Sequence, residues 1–210
     1  MIYLIITTSI NNKFGLKDDL QRKERYLYAI NETLKQLPSE IKPIIVENNG
    51  KRETYLDNFY HNNKPVEVYY TNNNKLFFKN KGINELLDIK DVINHFKIND
   101  KDVIIKITGR YRSLTPSFFR DVMENENNYD AFIKFFGVCS LRFDKNDCVM
   151  GYFALRVQFI KLFKHMTIEN YSSAEMALAR YIQLSGAHIK VIENLNLECQ
   201  FADNNRILNV

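Results

Sequence analysis

Four short apolar runs, each closed by a polar turn, constrain this chain most. They read Ile2–Thr7 "IYLIIT", Pro43–Glu47 "PIIVE", Val66–Tyr70 "VEVYY" and Val103–Thr108 "VIIKIT". β-Branched runs of this length, apolar with little alternation, suit strands buried on both faces. Between them lie helix-length amphipathic segments. "KDDLQRKERYLYAINETLKQL" spaces Leu20, Tyr26, Leu27, Ile30, Leu34 and Leu37 near a helical period and stops before Pro38. "KNKGINELLDIKDVINHF" does the same with Ile83, Leu86, Leu87, Val92, Ile93 and Phe96. "RETYLDNFYHNN", between the second and third runs, reads as a helix or a helical turn. The resulting β-α-β-α-β-α-β rhythm predicts a mostly parallel sheet wrapped by helices.

The rhythm changes after Pro116. "PSFFRDVMENE", "VQFIKLFKHM" and "SAEMALARYIQLSG" read as helices, the last ended by Gly186. "YDAFIKFFGVC" and "SLRFDKNDCVMGYFALR" read as two longer strands joined by a turn at Asp144–Asn146, and "HIKVIENLNLECQF" closes with strand character. With no linker or repeat, the expectation is one α/β domain over residues 1–210, in two lobes, 1–115 and 116–210.

Composition narrows the function classes. The 210 residues are 45% hydrophobic and 26% charged, with a net charge of +4 and no block of like charge, so neither a membrane span nor a nucleic-acid partner is expected. Abundant Asn, Lys and Ile without Trp suggest an AT-rich genome, such as a large DNA virus or a low-GC bacterium. Cys139, Cys148 and Cys199 are odd in number and lack metal-ligand spacing, which points to free thiols in a reducing compartment: the cytoplasm, or a host's cytoplasm for a viral protein. The histidines His61, His95, His165 and His188 show neither zinc spacing nor a Ser or Cys partner. No glycine-rich phosphate loop is present, which weighs against a dinucleotide-binding domain and a P-loop enzyme.

The chemistry then gathers at strand ends. In open α/β sheets, ligands bind outside the carboxyl ends of the strands. The first strand exits through Thr7, Thr8 and Ser9, with Arg22 and Arg25 following on the helix. The second exits through Glu47 and Asn48. Asn80 and Gly82 sit at a helix start, where a backbone can approach an anion. The fourth exits through Lys106, Thr108, Gly109, Arg110 and Arg112, a buried strand delivering positive charge.

In this order, "ITTS…ERYLYAI…PIIVENN…VEVYYTNNN…NKGINELL…DVIIKITGRYR" resembles the nucleotide-sugar half of GT-A-fold glycosyltransferases, and "NKGINELL" with "KITGRY" is particularly similar to viral and bacterial polysaccharide enzymes of that type. The resemblance covers residues 1–115. It implies a GT-A-like, Rossmann-like fold, a nucleotide-sugar donor (UDP-linked by preference) and a glycan or lipid-linked acceptor. It also implies a strand-one loop that cups the nucleotide and an Asn-x-Gly-like helix start beneath the sugar-nucleotide. Most such enzymes carry Asp-x-Asp after the fourth strand, for a Mg²⁺ or Mn²⁺ ion that bridges to the diphosphate. Here the position reads "TGRYR", and the chain has no Asp-x-Asp. Guanidinium binds phosphate bidentately without a metal, so Arg110, helped by Lys106 and Arg112, is expected to hold the diphosphate with no cofactor required. The competing expectation is that Arg110 or Arg112 pairs with Glu85 and merely fixes the turn.

An inverting enzyme needs a carboxylate to deprotonate the acceptor, and in GT-A folds it usually comes from the second half, near a helix start. Glu175 is the leading candidate. Ser172 or Ser173 caps its helix, and the bland alternative is a capping-box role. Glu169, Asp130 and Asp144 are weaker candidates. The rival functions are a nucleotidyltransferase, which normally carries more glycine near its first strand, and a degenerate module that binds nucleotide sugar without turnover.

Overall fold

The computed structural model describes residues 1–10, 19–76, 78, 80–137, 140–171, 173–201 and 206–210. Cys139 and Ser172 lie outside the described residues, as does the side chain of Glu169. The four apolar runs form strands β1 (Ile2–Thr8), β2 (Lys42–Glu47), β5 (Glu67–Tyr70) and β6 (Val103–Thr108). The two amphipathic segments form α1 (Asp19–Gln36) and α2 (Lys81–His95). β1 pairs in parallel with β2 on one side and β6 on the other, and β2 continues in parallel to β5. These strands fill the middle and one edge of a seven-stranded sheet.

The second half completes that sheet with β8 (Ala131–Ile133), β9 (Tyr152–Arg156) and β10 (Ile189–Val191). The order is β10-β8-β9-β6-β1-β2-β5, with β9 antiparallel to both β6 and β8. The architecture is therefore mixed α/β, mostly parallel and flanked by helices. Alternation along each strand splits the core. Leu4, Ile6, Ile105 and Ile107 face α1 and α3 (Ser117–Asn125), whereas Ile5, Ile44 and Ile104 face α2 and the helices of the second half. Those helices are α4 (Val157–Leu162), α5 (His165–Glu169) and α6 (Ala174–Leu184).

The structure corrects two expectations and decides a third. The long hairpin expected across residues 131–156 is two short strands and a broad connection, braced among the described residues by a bridge between Gly137 and Arg142 and by hydrogen bonds from Phe136 N to Asp147 O and from Val149 N to Lys134 O. Phe135, Cys148, Val149 and Met150 look strand-like because they are buried, but they pack into the core without joining the ladder. The helix expected over Val157–Met166 is two helices, α4 and α5. Lys90 reaches across from α2 to the last carbonyls of α4, donating to Phe163 O at 2.7 Å. Of the two readings of Arg52–Asn63, helix or helical turn, the second holds, as a 3-10 turn over Thr54–Asn58. It runs into a hairpin of β3 (Tyr60–His61) and β4 (Lys64–Pro65). Asn62 and Asn63 take positive φ at its tip, a conformation Asn tolerates.

A smaller antiparallel sheet joins β7 (Arg112–Ser113), β11 (Leu197–Gln200) and β12 (Ile207–Asn209). It lays the end of the chain beside the exit of β6.

Candidate active-site crevice

The carboxyl ends of β1, β2, β5 and β6 open on one side of the sheet, together with the first turns of α2 and α6. At the β1 exit the hydroxyls turn inward. Thr8 Oγ1 donates to Val46 O at 2.9 Å and Thr7 Oγ1 lies 3.5 Å from Ile107 O. Glu47 is fully buried, accepts from Ile10 N at 3.2 Å, and is pushed up from the usual carboxylate range by that burial. Thr7, Thr8 and Glu47 thus build the wall of this edge, and what the edge offers a ligand is Ser9 and the chain beyond it.

Ser9 is pinned from α1. Arg22 Nε donates to Ser9 O at 2.8 Å, and Ser9 N donates to Tyr26 Oη at 3.3 Å. The same phenol oxygen accepts from Arg22 Nη2 at 3.2 Å and from Arg110 Nη1 at 3.1 Å. Arg110 Nε reaches Gln200 O at 3.3 Å. Neither guanidinium meets a carboxylate among the described residues. Two cations sharing one neutral acceptor leave this corner with uncompensated positive charge, the electrostatic condition for an anion site. Gly109 makes the arrangement possible. A Cβ there would lie 2.8 Å from Tyr26 Cδ1 and 2.9 Å from Thr8 Cγ2, so only glycine lets the β6 exit press against α1.

The other cations of the motif have partners. Lys106, buried in β6, pairs with Glu85 of α2 and also donates to Thr108 Oγ1 at 2.7 Å and Met150 O at 3.2 Å. Arg25 and Arg112 both close on Glu198, each at 2.8 Å. Arg112 also reaches Tyr28 Oη. For Arg112 the expected pairing with a carboxylate holds, but the partner is Glu198 of β11 and not Glu85, which Lys106 takes; Arg110 meets no carboxylate among the described residues. Arg25 and Arg112 brace the small sheet against α1, and Arg110 alone of the three stands beside Tyr26.

On the α2 side, Asn80 caps the helix by accepting from Gly82 N at 3.0 Å. Gly82 faces α6, where an added Cβ would fall 2.2 Å from Ala174 Cβ. Its missing side chain allows α2 and α6 to approach each other. Deeper in, Asn48 Nδ2 donates to Asp88, which also accepts from Thr71 Oγ1 and Asn73 Nδ2. Burial pushes the Asp88 carboxyl up to about 7, despite these three donors.

The opposite wall is acidic. Ser173 caps α6 by accepting from Met176 N, which puts Glu175 at the second helical position and not the third that a capping box needs. The Glu175 carboxylate makes no hydrogen bond or ion pair among the described residues. Asp147 stands near it, its carboxyl raised by burial and by the charges of Glu175 and Asp144. The Tyr111 phenol lies within electrostatic reach of Arg110, Glu85 and Glu175, and burial above all pushes its pKa up. Of the weaker candidates, Asp130 is committed to Arg156 at 2.6 Å, away from this wall. Sequence reasoning missed Tyr26, Glu85, Asp88 and Tyr111 as members of the site. Its one available clue was a tyrosine within an otherwise aliphatic helix face.

Where the resembling family carries Asp-x-Asp, this structure places a buried ammonium and an unneutralised guanidinium, and among the described residues no three His, Cys, Asp or Glu side chains converge to hold a metal ion.

Searches of family models and of curated proteins return no match. Solved structures do match. One is a protein from Desulfovibrio desulfuricans, provisionally named a nucleotide-diphospho-sugar transferase: TM-score 0.59, 7% identity, covering 91% of this chain and 79% of that one. A CMP:2-keto-3-deoxy-manno-octonic acid synthetase complexed with CTP gives 0.55 at 10% identity, covering 91% and 88%. TarS from S. aureus gives 0.52 at 15% identity, covering 91% of this chain but 35% of that larger one. At such identities the likeness is one of architecture, and the chain has the mixed α/β fold that these structures share.

Proposed function

We propose that the protein is a glycosyltransferase that moves a sugar from a nucleotide-sugar donor, UDP-linked by preference, to a glycan or lipid-linked acceptor. The observation that carries this reading is the pairing of an uncompensated Arg110, seated on Tyr26, with a free Glu175 on the opposite wall. The donor diphosphate lies against Arg110, its base toward Ser9 and Asn48. Glu175 takes the proton of the acceptor hydroxyl as that oxygen attacks the anomeric carbon. The bond to the diphosphate breaks as the new glycosidic bond forms, and Arg110 stabilises the charge that develops on the leaving oxygen. The Lys106–Glu85 pair holds the floor rigid. Free Cys148 and Cys199 suit a reducing cytoplasm.

The likeness to a synthetase complexed with CTP favours a second reading, a nucleotidyltransferase. A panel of nucleotide sugars, assayed with and without EDTA, separates the two. Release of free nucleoside diphosphate supports sugar transfer, and pyrophosphate release from a nucleoside triphosphate plus a sugar phosphate supports nucleotidyl transfer. Binding without turnover points to a degenerate module. In the transfer assay Glu175→Gln should keep donor affinity and lower kcat by on the order of a hundredfold. A fully active variant removes Glu175 from the chemistry.

A further inference from the structure

Among the described residues, five of the thirteen exposed large hydrophobic side chains lie on the helices that cover the α2–α6 face of the sheet or on the connection that packs beside α6. They are Leu141 and Phe143 (57% and 68% exposed), Leu162 (66%), Met166 (57%) and Leu184 (67%). Contacts tie their segments together around α6. On one flank Gln183 donates to Lys145 O at 2.7 Å, which joins the Leu141–Lys145 excursion to the end of α6 beside Leu184. On the other, Tyr181 stacks on Phe163 at 4.6 Å and donates to Phe159 O at 2.7 Å, which joins α6 to α4 and hence to Leu162. Met166 follows on α5.

Leu141 is exposed in an unusual backbone conformation. It adopts positive φ (54°), a conformation that disfavours a bulky side chain, where Gly or Asn would sit without strain. Yet the position carries an apolar side chain directed into water. Cations stand among these residues: Arg142 and Lys145 in the excursion, Lys164 between α4 and α5, and Arg180 one turn before Leu184, all exposed. The nearby acids are Asp144, the half-buried Asp147 and Glu175 at the crevice end of α6, and the Asp100 that pairs with Lys161.

Apolar side chains interspersed with lysine and arginine match the boundary of an anionic bilayer, where methyl groups enter the acyl region and the cations meet headgroups. We propose that this face docks the protein on an anionic lipid surface. The proposal stands apart from the transferase reading, because it concerns the outer face of the layer and not the crevice.

Sedimentation with phosphatidylcholine vesicles, with and without phosphatidylserine, tests it on the full chain. The parent should bind the phosphatidylserine vesicles, release at high salt, and leave pure phosphatidylcholine largely unbound. Two paired variants, Leu141→Ser with Phe143→Ser and Leu162→Ser with Leu184→Ser, should each weaken binding by at least roughly tenfold. Both pairs are surface changes, and should one disturb folding the other still decides. Failure of the parent to bind phosphatidylserine vesicles overturns the proposal, as does binding that survives both pairs. Concentration-dependent dimerisation abolished by the same serines also overturns it, because a second copy then covers the face.

Discussion

Replacing Arg110 with alanine isolates the positive corner at the β6 exit. The guanidinium makes two hydrogen bonds, to Tyr26 Oη at 3.1 Å and to Gln200 O at 3.3 Å, and no ion pair among the described residues. Its loss leaves Tyr26 Oη still accepting from Arg22 and Ser9, so no buried acceptor is orphaned and the fold should lose little. A charge-assisted contact to phosphate contributes about 1.5–3 kcal/mol, so a nucleoside diphosphate should bind about ten- to a hundredfold more weakly. The matching nucleoside should bind the variant and the parent alike. Arg25→Ala is the internal control. Arg25 pairs with Glu198 and its Nε donates to Arg110 O at 2.9 Å, so its loss should weaken the diphosphate only through the placing of Arg110, and by less than Arg110→Ala does. Calorimetric titration of UDP and uridine in EDTA, on the parent and on both variants, measures every combination. Equal loss for UDP and uridine would mean that Arg110 shapes the pocket and does not touch phosphate. An EDTA-abolished interaction would refute the metal-free argument altogether.

Three further outcomes follow from the same geometry. Lys106→Met should cost about 2–4 kcal/mol in chemical denaturation, because it strands Glu85 and removes the donor to Thr108 and Met150 O, while the double variant with Glu85→Gln should recover part of that loss; an unaffected single variant would mean that the pair contributes nothing. Gly82→Ala should lower the melting temperature, since its Cβ would meet Ala174 at 2.2 Å, and loss of nucleotide affinity at unchanged stability would show instead that this glycine faces ligand. Asp88 has a folded-state carboxyl raised to about 7, so it favours the fold when protonated, and its contribution is lost as pH rises from the unfolded value near 4 through 7. Relative to Asp88→Asn, the parent should therefore lose on the order of a few kcal/mol between pH 4.5 and 8, and parallel stability profiles would remove Asp88 as the cause.

The first half of the fold was legible because its signal is local. A strand buried on both faces must be apolar along its length, and the middles of β1, β2 and β6 are, except for Lys106, whose amine is matched by Glu85 on α2; their polar residues gather at the ends. An amphipathic helix must repeat near 3.6, and α1 and α2 do. The second half resisted because burial and pairing come apart there. Phe135, Cys148 and Met150 are as apolar as ladder residues, yet they fill the core from the connection between β8 and β9. Nor does any local pattern announce that β9 inserts antiparallel between β6 and β8, since that depends on pairing across the whole chain.

The site shows the same division more sharply. The sequence placed Lys106, Arg110 and Arg112 within one short motif and set Arg110 first, but it could not name their partners, because each role depends on which carboxylate reaches it. Glu85 comes from the preceding helix and claims Lys106. Glu198 comes from β11, near the other end of the chain, and claims both Arg112 and Arg25. Arg110 is left uncompensated by elimination in space, a property that no residue near it in sequence encodes. Tyr26 completes the inversion. Its place in the helical period marks it as core, which it is by burial, yet its hydroxyl is the atom on which Ser9, Arg22 and Arg110 converge. An aliphatic residue at position 26 would pack the same groove and leave two guanidiniums without their common acceptor. Tyr26→Phe is thus the smallest change that should loosen the anion corner while leaving the hydrophobic contacts of α1 intact.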